Sequence, residues 1–244
     1  MAATWSGKRH CRTVMLQRCD NFVHKAAMIS VAPAVPPRLR DPRSLETTQR
    51  IMRAAEELLG TFGIEAVSMR QIMIAANVSN KSAIAYHFGN RDELIRQILQ
   101  WRLPVLEPIR REMLDAVRAQ GLEHDPHHLA HVLLLPACRL VDADGKHRYM
   151  AFLRQLLRFE HGLRLRNTEM ALSPTSSAAY QLFRECFPHL SADQCRWRVQ
   201  AATGLFFDLV YDRDRSPLDH GIGTLPEEEF LDEAIRMMVA CCAV

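Results

Sequence analysis

Two stretches of this chain place side chains where they could do chemistry. In the first, Asn80, Lys81 and Ser82 follow one another with Ala85 just beyond, then Tyr86 and His87. An amide, an ammonium and a hydroxyl in succession offer donors and acceptors to nucleobase edges, and an alanine methyl can meet a thymine methyl. Ser68, Arg70, Tyr86, His87 and Arg91 suit contacts to backbone phosphate, because hydroxyl, imidazole and guanidinium groups at helix ends serve that purpose. Two of these have plainer readings: Tyr86 as packing, Arg70 as part of a solvated helix face. The second stretch is His124-Asp-Pro-His127-His128-Leu-Ala-His131. His127 and His131 stand at i, i+4, a spacing metals use, but no third ligand follows at fixed spacing. Solvent-facing histidines are the expectation there, with no metal site and no cofactor.

Catalytic signatures are absent. The chain has no Gly-x-Ser-x-Gly, phosphate loop, His-Glu-x-x-His or dinucleotide fingerprint. Asp142-Ala-Asp-Gly145 lacks the remaining acids and the closing Glu of a calcium loop, so it reads as a turn. An enzyme is not expected.

The first group needs elements to position it. Ser68 with Gln71 forms a capping box, and Ile72, Ala75 and Ala76 give the helix after it an apolar stripe. Asn77-Val78-Ser79 breaks that helix: Asn tolerates left-handed backbone angles, and Ser79 can cap the next one. The following helix, about 80–87, buries Ala83 and Ile84 and turns its polar residues outward. It is too short to hold itself together in water and must be braced. Two such helices around a tight turn make a helix-turn-helix, whose second helix enters the DNA major groove.

Thr47-Thr-Gln-Arg-Ile-Met-Arg-Ala-Ala-Glu-Glu-Leu-Leu, Phe62-Gly63, Ser68-Met-Arg-Gln-Ile, Tyr86-His87-Phe88-Gly89 and Asp92-Glu93-Leu94-Ile95 together resemble the N-terminal DNA-binding domain of TetR-type transcriptional regulators, over about 47–102. One residue more separates Val78 from Tyr86-His87-Phe88 than in the commonest family pattern, and a subgroup with Asn-Asn-Ser-Ala-Val before Tyr-His-Phe is more similar. The resemblance implies an all-α protein with a helical ligand-binding and dimerisation domain. It also matches Tyr86, His87 and the basic residue at the start of the next helix to backbone-contacting positions.

Around the motif, a first helix over about 47–62 carries Ile51, Ala54, Ala55, Leu58, Leu59 and Phe62 on one face, with Gly63 ending it and Arg50 and Arg53 solvated. A helix after Asn90, capped with Glu93, is expected to bury Leu94, Ile95, Ile98 and Leu99 and to stop or kink at Pro104. In the family this helix joins the head to the rest. Further helices are expected over about 109–117, 129–141 with a kink at Pro136, 149–165, 174–187 and 192–211, the last capped by Ser191 with Gln194. Thr224-Leu-Pro-Glu-Glu starts a last helix striped by Phe230, Ala234, Met237, Met238 and Cys241. Phe152, Gln155, Leu156, Phe159, Thr203 and Phe206 are candidates for lining a pocket for a small effector, although plain packing accounts for the same residues. The last two helices suit self-pairing, as the resemblance implies, or intramolecular core. A two-fold dimer would set two recognition helices about 34–36 Å apart, one DNA turn.

Composition bounds the rest. At 244 residues, 48% hydrophobic and 24% charged, the chain is an ordinary globular protein. Its net charge of +3 hides an asymmetry: eight Lys/Arg and two Asp precede Ser44, whereas 23 basic and 26 acidic residues follow from there. Seven scattered cysteines without a Cys-x-x-Cys pair read as small buried hydrophobes in a reducing compartment. No apolar run approaches the roughly 18–20 residues of a membrane span, which leaves the cytoplasm as the expected place. Residues 1–43 read as a disordered basic leader with Met28 as a possible initiator, or as a basic arm beside the motif. The expected layout is therefore a helix-turn-helix domain at 44–91, a connecting helix at 92–104 and a helical regulatory domain at 105–244. The expected function is a ligand-responsive regulator, a repressor by resemblance, binding a palindromic double-stranded DNA operator as a homodimer. The alternative is a helical interaction or metal-responsive protein that binds no specific DNA.

Overall fold

In the computed structural model of the chain, residues 42–78, 88–216 and 225–243 are described. Among them every regular element is an α-helix: α1 (Pro42–Phe62), α2 (Met69–Ala75), α3 (Arg91–Ala119), α4 (Pro126–Cys138), α5 (Arg148–Arg158), α6 (Gly162–Met170), α7 (Pro174–Glu185), α8 (Ala192–Arg215) and α9 (Glu227–Ala243). The all-α expectation holds.

α1 begins at Pro42, earlier than the expected Thr47, because proline fits a first helical turn whose N–H groups need no partner. Ile51, Ala55 and Leu59 are buried, and Arg50 and Arg53 lie on its exposed face. Phe62 does not join them and is 65% exposed, since burial along α1 stops at Gly60. Gly63, at φ 97°, ends the helix with its N–H on the Leu59 carbonyl at 3.0 Å. On α2 the inward face is Ile72, Met73 and then Ala76; Ala75 is exposed.

α3 corrects the largest expectation. The helix neither stops at Pro104 nor restarts at Ile109, but runs 29 residues through Pro104 and Pro108. Each proline forfeits one backbone bond. The buried stripe on both sides of them, from Leu94, Ile95, Ile98 and Leu99 to Leu106, Ile109, Met113 and Val117, packs strongly enough to carry the helix across. At about 1.5 Å per residue α3 spans roughly 43 Å. Its first turns pack in the head and its last in the body, against α4, α6 and α7.

The other boundaries shift for local reasons. α4 starts early because Asp125 accepts from the His127 N–H at 3.0 Å with Pro126 in the first turn, and Pro136 sits near its end. The expected single helix over 149–165 is two, α5 and α6, broken where Phe159 turns extended. Gly162 is needed at that break, since a Cβ there would lie 1.9 Å from the Leu156 carbonyl oxygen. Ser191 and Gln194 form the expected capping box of α8. Asp142–Gly145 is the expected turn, with Asp142 Oδ1 accepting from the N–H groups of Asp144 and Lys146 at 2.9 and 2.8 Å. On α9 the buried stripe is Phe230, Leu231, Ala234, Ile235, Met238 and Cys242. Met237 and Cys241 leave that stripe and are exposed. The remaining described cysteines, Cys138, Cys186, Cys195 and Cys242, are buried or half-buried thiols.

Head and body share a junction. α1 packs along α5, and a Cβ on Gly60 would lie 2.8 Å from the Phe152 backbone nitrogen, so the two backbones can approach this closely only at a glycine. Beside it the Arg102 guanidinium of α3 forks onto the Glu56 carboxylate of α1 at 2.8 and 2.6 Å, with Glu56 buried. Arg102 also stacks over Trp101 at 4.2 Å, which fixes the guanidinium in plane.

A second latch holds α5 to the last two helices. His147 is buried, its Nδ1 lies 2.9 Å from Asp214 and its Nε2 3.4 Å from Glu227. Burial alone lowers the pKa of an imidazole, but the hydrogen bonds and charges of Asp214 and Glu227 outweigh it and raise His147 to about 9. A raised pKa contributes stability that is whole below the ordinary histidine range near 6.5 and lost as pH climbs through about 9. The melting temperature of the wild type is therefore expected to fall between pH 7 and 10 more steeply than that of His147→Gln. Parallel pH profiles of the two proteins in thermal denaturation would show that the latch holds no charge.

Candidate DNA-binding head and regulatory chamber

The head's exposed edge is set by helix caps. Ser68, extended at φ −83° and ψ 153°, accepts from the Gln71 N–H at 3.3 Å, while Gln71 Oε1 accepts from the Ser68 N–H at 2.8 Å. Arg70 projects from the exposed side of this first turn. After α2, Asn77 takes the left-handed conformation at φ 52°, and the Val78 N–H reaches back to the Met73 carbonyl at 3.0 Å. An asparagine makes this turn because its short side chain tolerates positive φ.

Asn80, Lys81, Ser82, Ala85, Tyr86 and His87 lie outside the described residues. The chain is described again at Phe88, which is buried in the head core. Asn90 then caps α3 by accepting from the Glu93 N–H at 2.9 Å. Glu93 does not complete a capping box; its carboxylate bonds Arg96 and Gln97 instead. Arg91 Nη2 donates to the Val67 carbonyl at 2.9 Å, so the start of α3 is tied to the residue before Ser68. Ser68 and Arg91 thus meet at one edge of the head, at the amino-terminal ends of α2 and α3. Arg91 Nε, shielded from solvent, has no hydrogen-bond partner among the described residues.

Residues 51–98 match the family model described as bacterial regulatory proteins, tetR family. The head is a tetR-family head. The match supports a DNA-binding transcriptional regulator, with a helical region following the tetR-family domain. No curated protein matches the chain. Beyond this match lie all of α4–α9 and α3 from Leu99 onward.

In the body, Phe152, Leu156, Thr203 and Phe206 are buried, and Gln155 and Phe159 are half-buried. None of the six lines the chamber that opens beside them. That chamber, about 40 Å³, lies between α3, α4, α5, α6 and α8, with Leu106, Arg110, Leu134, Tyr149, Arg166 and Phe207 in its wall. Arg110 is only 6% exposed, and neither it nor Arg166 has a carboxylate within ion-pair distance among the described residues. Burial pushes the Arg110 guanidinium below its ordinary range, against the pull of Tyr149 and Glu107. Burial likewise lowers Arg166 to about 10, and the neighbouring Arg110 adds to the fall. Two guanidiniums in an apolar wall are costly unless an anion joins them. The sequence did carry a signal for Arg110, an arginine inside the apolar stripe of α3 beside Ile109 and Met113. Periodicity flags such a residue only as an interruption.

Of the four histidines in the stretch, His124 is exposed as expected and the other three are not. His131 is buried and His127 and His128 half-buried, because the Asp125 cap draws all three into α4, one face of which packs on α9. His128 Nδ1 pairs with Asp125 at 3.0 Å, while His127 and His131 both face Asp232 of α9.

Proposed function

We propose that this regulator represses transcription from a palindromic operator as a homodimer and releases the operator when a small effector enters the body. The observation that carries the reading is the tetR-family head itself, whose capped α2 and Asn77 turn lead directly into Asn80, Lys81 and Ser82. Those three residues and Ala85 would meet base edges, while Ser68, Arg70, Tyr86, His87 and Arg91 would hold phosphates. The working layout keeps the leader at 1–43, the head at 44–91, the connector at 92–104 and the regulatory domain from 105. The connector helix, however, continues structurally to Ala119.

Dimerisation through α8 and α9 is supported by what their outer faces leave uncovered. Trp197 is 70% exposed and Met237 42%, with Ala201 and Cys241 exposed beside them and open space on the Gly204 side. Large apolar side chains in that position on two adjoining helices fit a symmetric helix-on-helix interface. No described helix is long and apolar enough to cross a membrane, in keeping with a cytoplasmic place of work.

For the effector, two guanidiniums with no carboxylate within ion-pair distance among the described residues favour an apolar molecule with an acidic head. Leu99, Leu103, Leu106 and Arg110 of the chamber wall all belong to α3, so an occupant would push on the helix that carries the head. A ligand preferring one setting of the heads would supply a coupling of about 1–3 kcal/mol.

Selection of bound fragments from a genomic pool, followed by gel shift, tests the DNA half. One palindromic site should be enriched, and Arg70→Ala should weaken it while lowering the log–log salt slope by about one. Failure to retain any genomic duplex at low salt would overturn the reading. For the effector half, small monocarboxylates from formate to butyrate, scaled to a chamber of about 40 Å³, are titrated onto the DNA-free protein, each beside its alcohol. Acids should raise the melting temperature more than alcohols, and Arg110→Met should abolish the difference.

A further inference from the structure

His127 and His131 sit one turn apart on α4, and Asp232 of α9 closes the third corner. Their ligand atoms all lie within 4.8 Å of one another. His127 Nε2 stands 3.4 Å and His131 Nε2 3.3 Å from the same oxygen, Asp232 Oδ1. We propose that these three side chains form a binding site for one divalent transition-metal ion, joining the last helix to the body.

The distances favour an ion over a bare ion pair. A charge-assisted N–H···O bond closes to about 2.7–2.9 Å, as His147 does with Asp214 at 2.9 Å. Here two imidazoles approach one oxygen and both stand off at 3.3–3.4 Å. A tetrahedral ion with bonds of about 2.1 Å separates its ligand atoms by about 3.4 Å. Two of the three edges already have that length. The third edge, between the two imidazoles, lies within 4.8 Å.

The surroundings are those of a ligand set. Asp232 is buried, and its other oxygen, Oδ2, accepts from Arg236 Nε at 2.9 Å, which aims Oδ1 at the histidines. His131 and Asp232 also line a cavity of about 150 Å³ with Leu135, Arg139, Glu227 and Leu231. Room is therefore left for water or a small anion in the open coordination position, the arrangement of three protein ligands plus an exchangeable one. Two imidazoles and a carboxylate suit Zn²⁺, Co²⁺ or Ni²⁺ and not Ca²⁺ or Mg²⁺, which prefer all-oxygen shells. The chain supplies the site from two helices distant in sequence, so binding would clamp α9 in place and raise stability by linkage.

The test uses the full chain stripped with a chelator and then titrated with Co²⁺, read by visible absorption, by metal content after gel filtration and by melting temperature. One Co²⁺ per chain is expected, with ligand-field bands of a four- or five-coordinate ion, a higher melting temperature and displacement by Zn²⁺. His127→Gln and His131→Gln should each weaken binding by about ten-fold or more, while His128→Gln, outside the trio, should bind as wild type does. Absence of bound Co²⁺ in the wild type would overturn the proposal, whatever the variants do. So would His127→Gln binding Co²⁺ with unchanged affinity and spectrum, which would place the ion elsewhere.

Discussion

The structure turns on the junction where α1 crosses α5 and α3 passes between head and body. Gly60 lets the backbones of α1 and α5 come within one atom's width, and the Glu56–Arg102 fork beside it ties α3 to α1. A buried carboxylate is tolerable only because both its oxygens receive guanidinium donors. The consequence is mechanical. A tetR-family head held only by the chain link at the end of α3 could swivel, whereas a head pinned at α1 must move when α5 or α3 moves.

Both proposed ligand positions gain meaning from that junction. The chamber with Arg110 and Arg166 is walled by the middle of α3 and by Tyr149 and Leu153 of α5, the two helices that meet the head. The His127–His131–Asp232 trio lies on the far side, between α4 and α9, with the His147 latch nearby through Glu227. One position bears on the heads, the other on the helices proposed to pair two subunits. A regulator with both would register two chemically unlike signals on one scaffold.

Much of this was legible before any coordinates. The Ser68 and Ser191 capping boxes, the left-handed Asn77 and Gly63, and the burial of Ile51, Leu59, Leu94 and Ile98 follow from local rules of hydrogen bonding and period. What misled was proline at Pro104, where a local penalty was expected to win and the long stripe of α3 overrode it. Phe62, Met237 and Cys241 were counted into stripes that neighbouring helices do not cover, and a helix cannot announce where its neighbours end. The histidines at i, i+4 were visible, but their third partner comes from about a hundred residues away on α9, beyond any spacing rule. Arg110 and Arg166 stayed hidden for the same reason: that no carboxylate pairs with them among the described residues is a property of the assembled chamber.

Operator affinity of Gly60→Ala, measured beside wild type by gel shift without effector, bears most directly on the coupling of head to body. The added methyl must push α1 off α5, so binding should weaken by several-fold or more, corresponding to about 1–3 kcal/mol, although Gly60 is not itself a proposed DNA contact. A folded Gly60→Ala protein that holds the operator as tightly as wild type would contradict it.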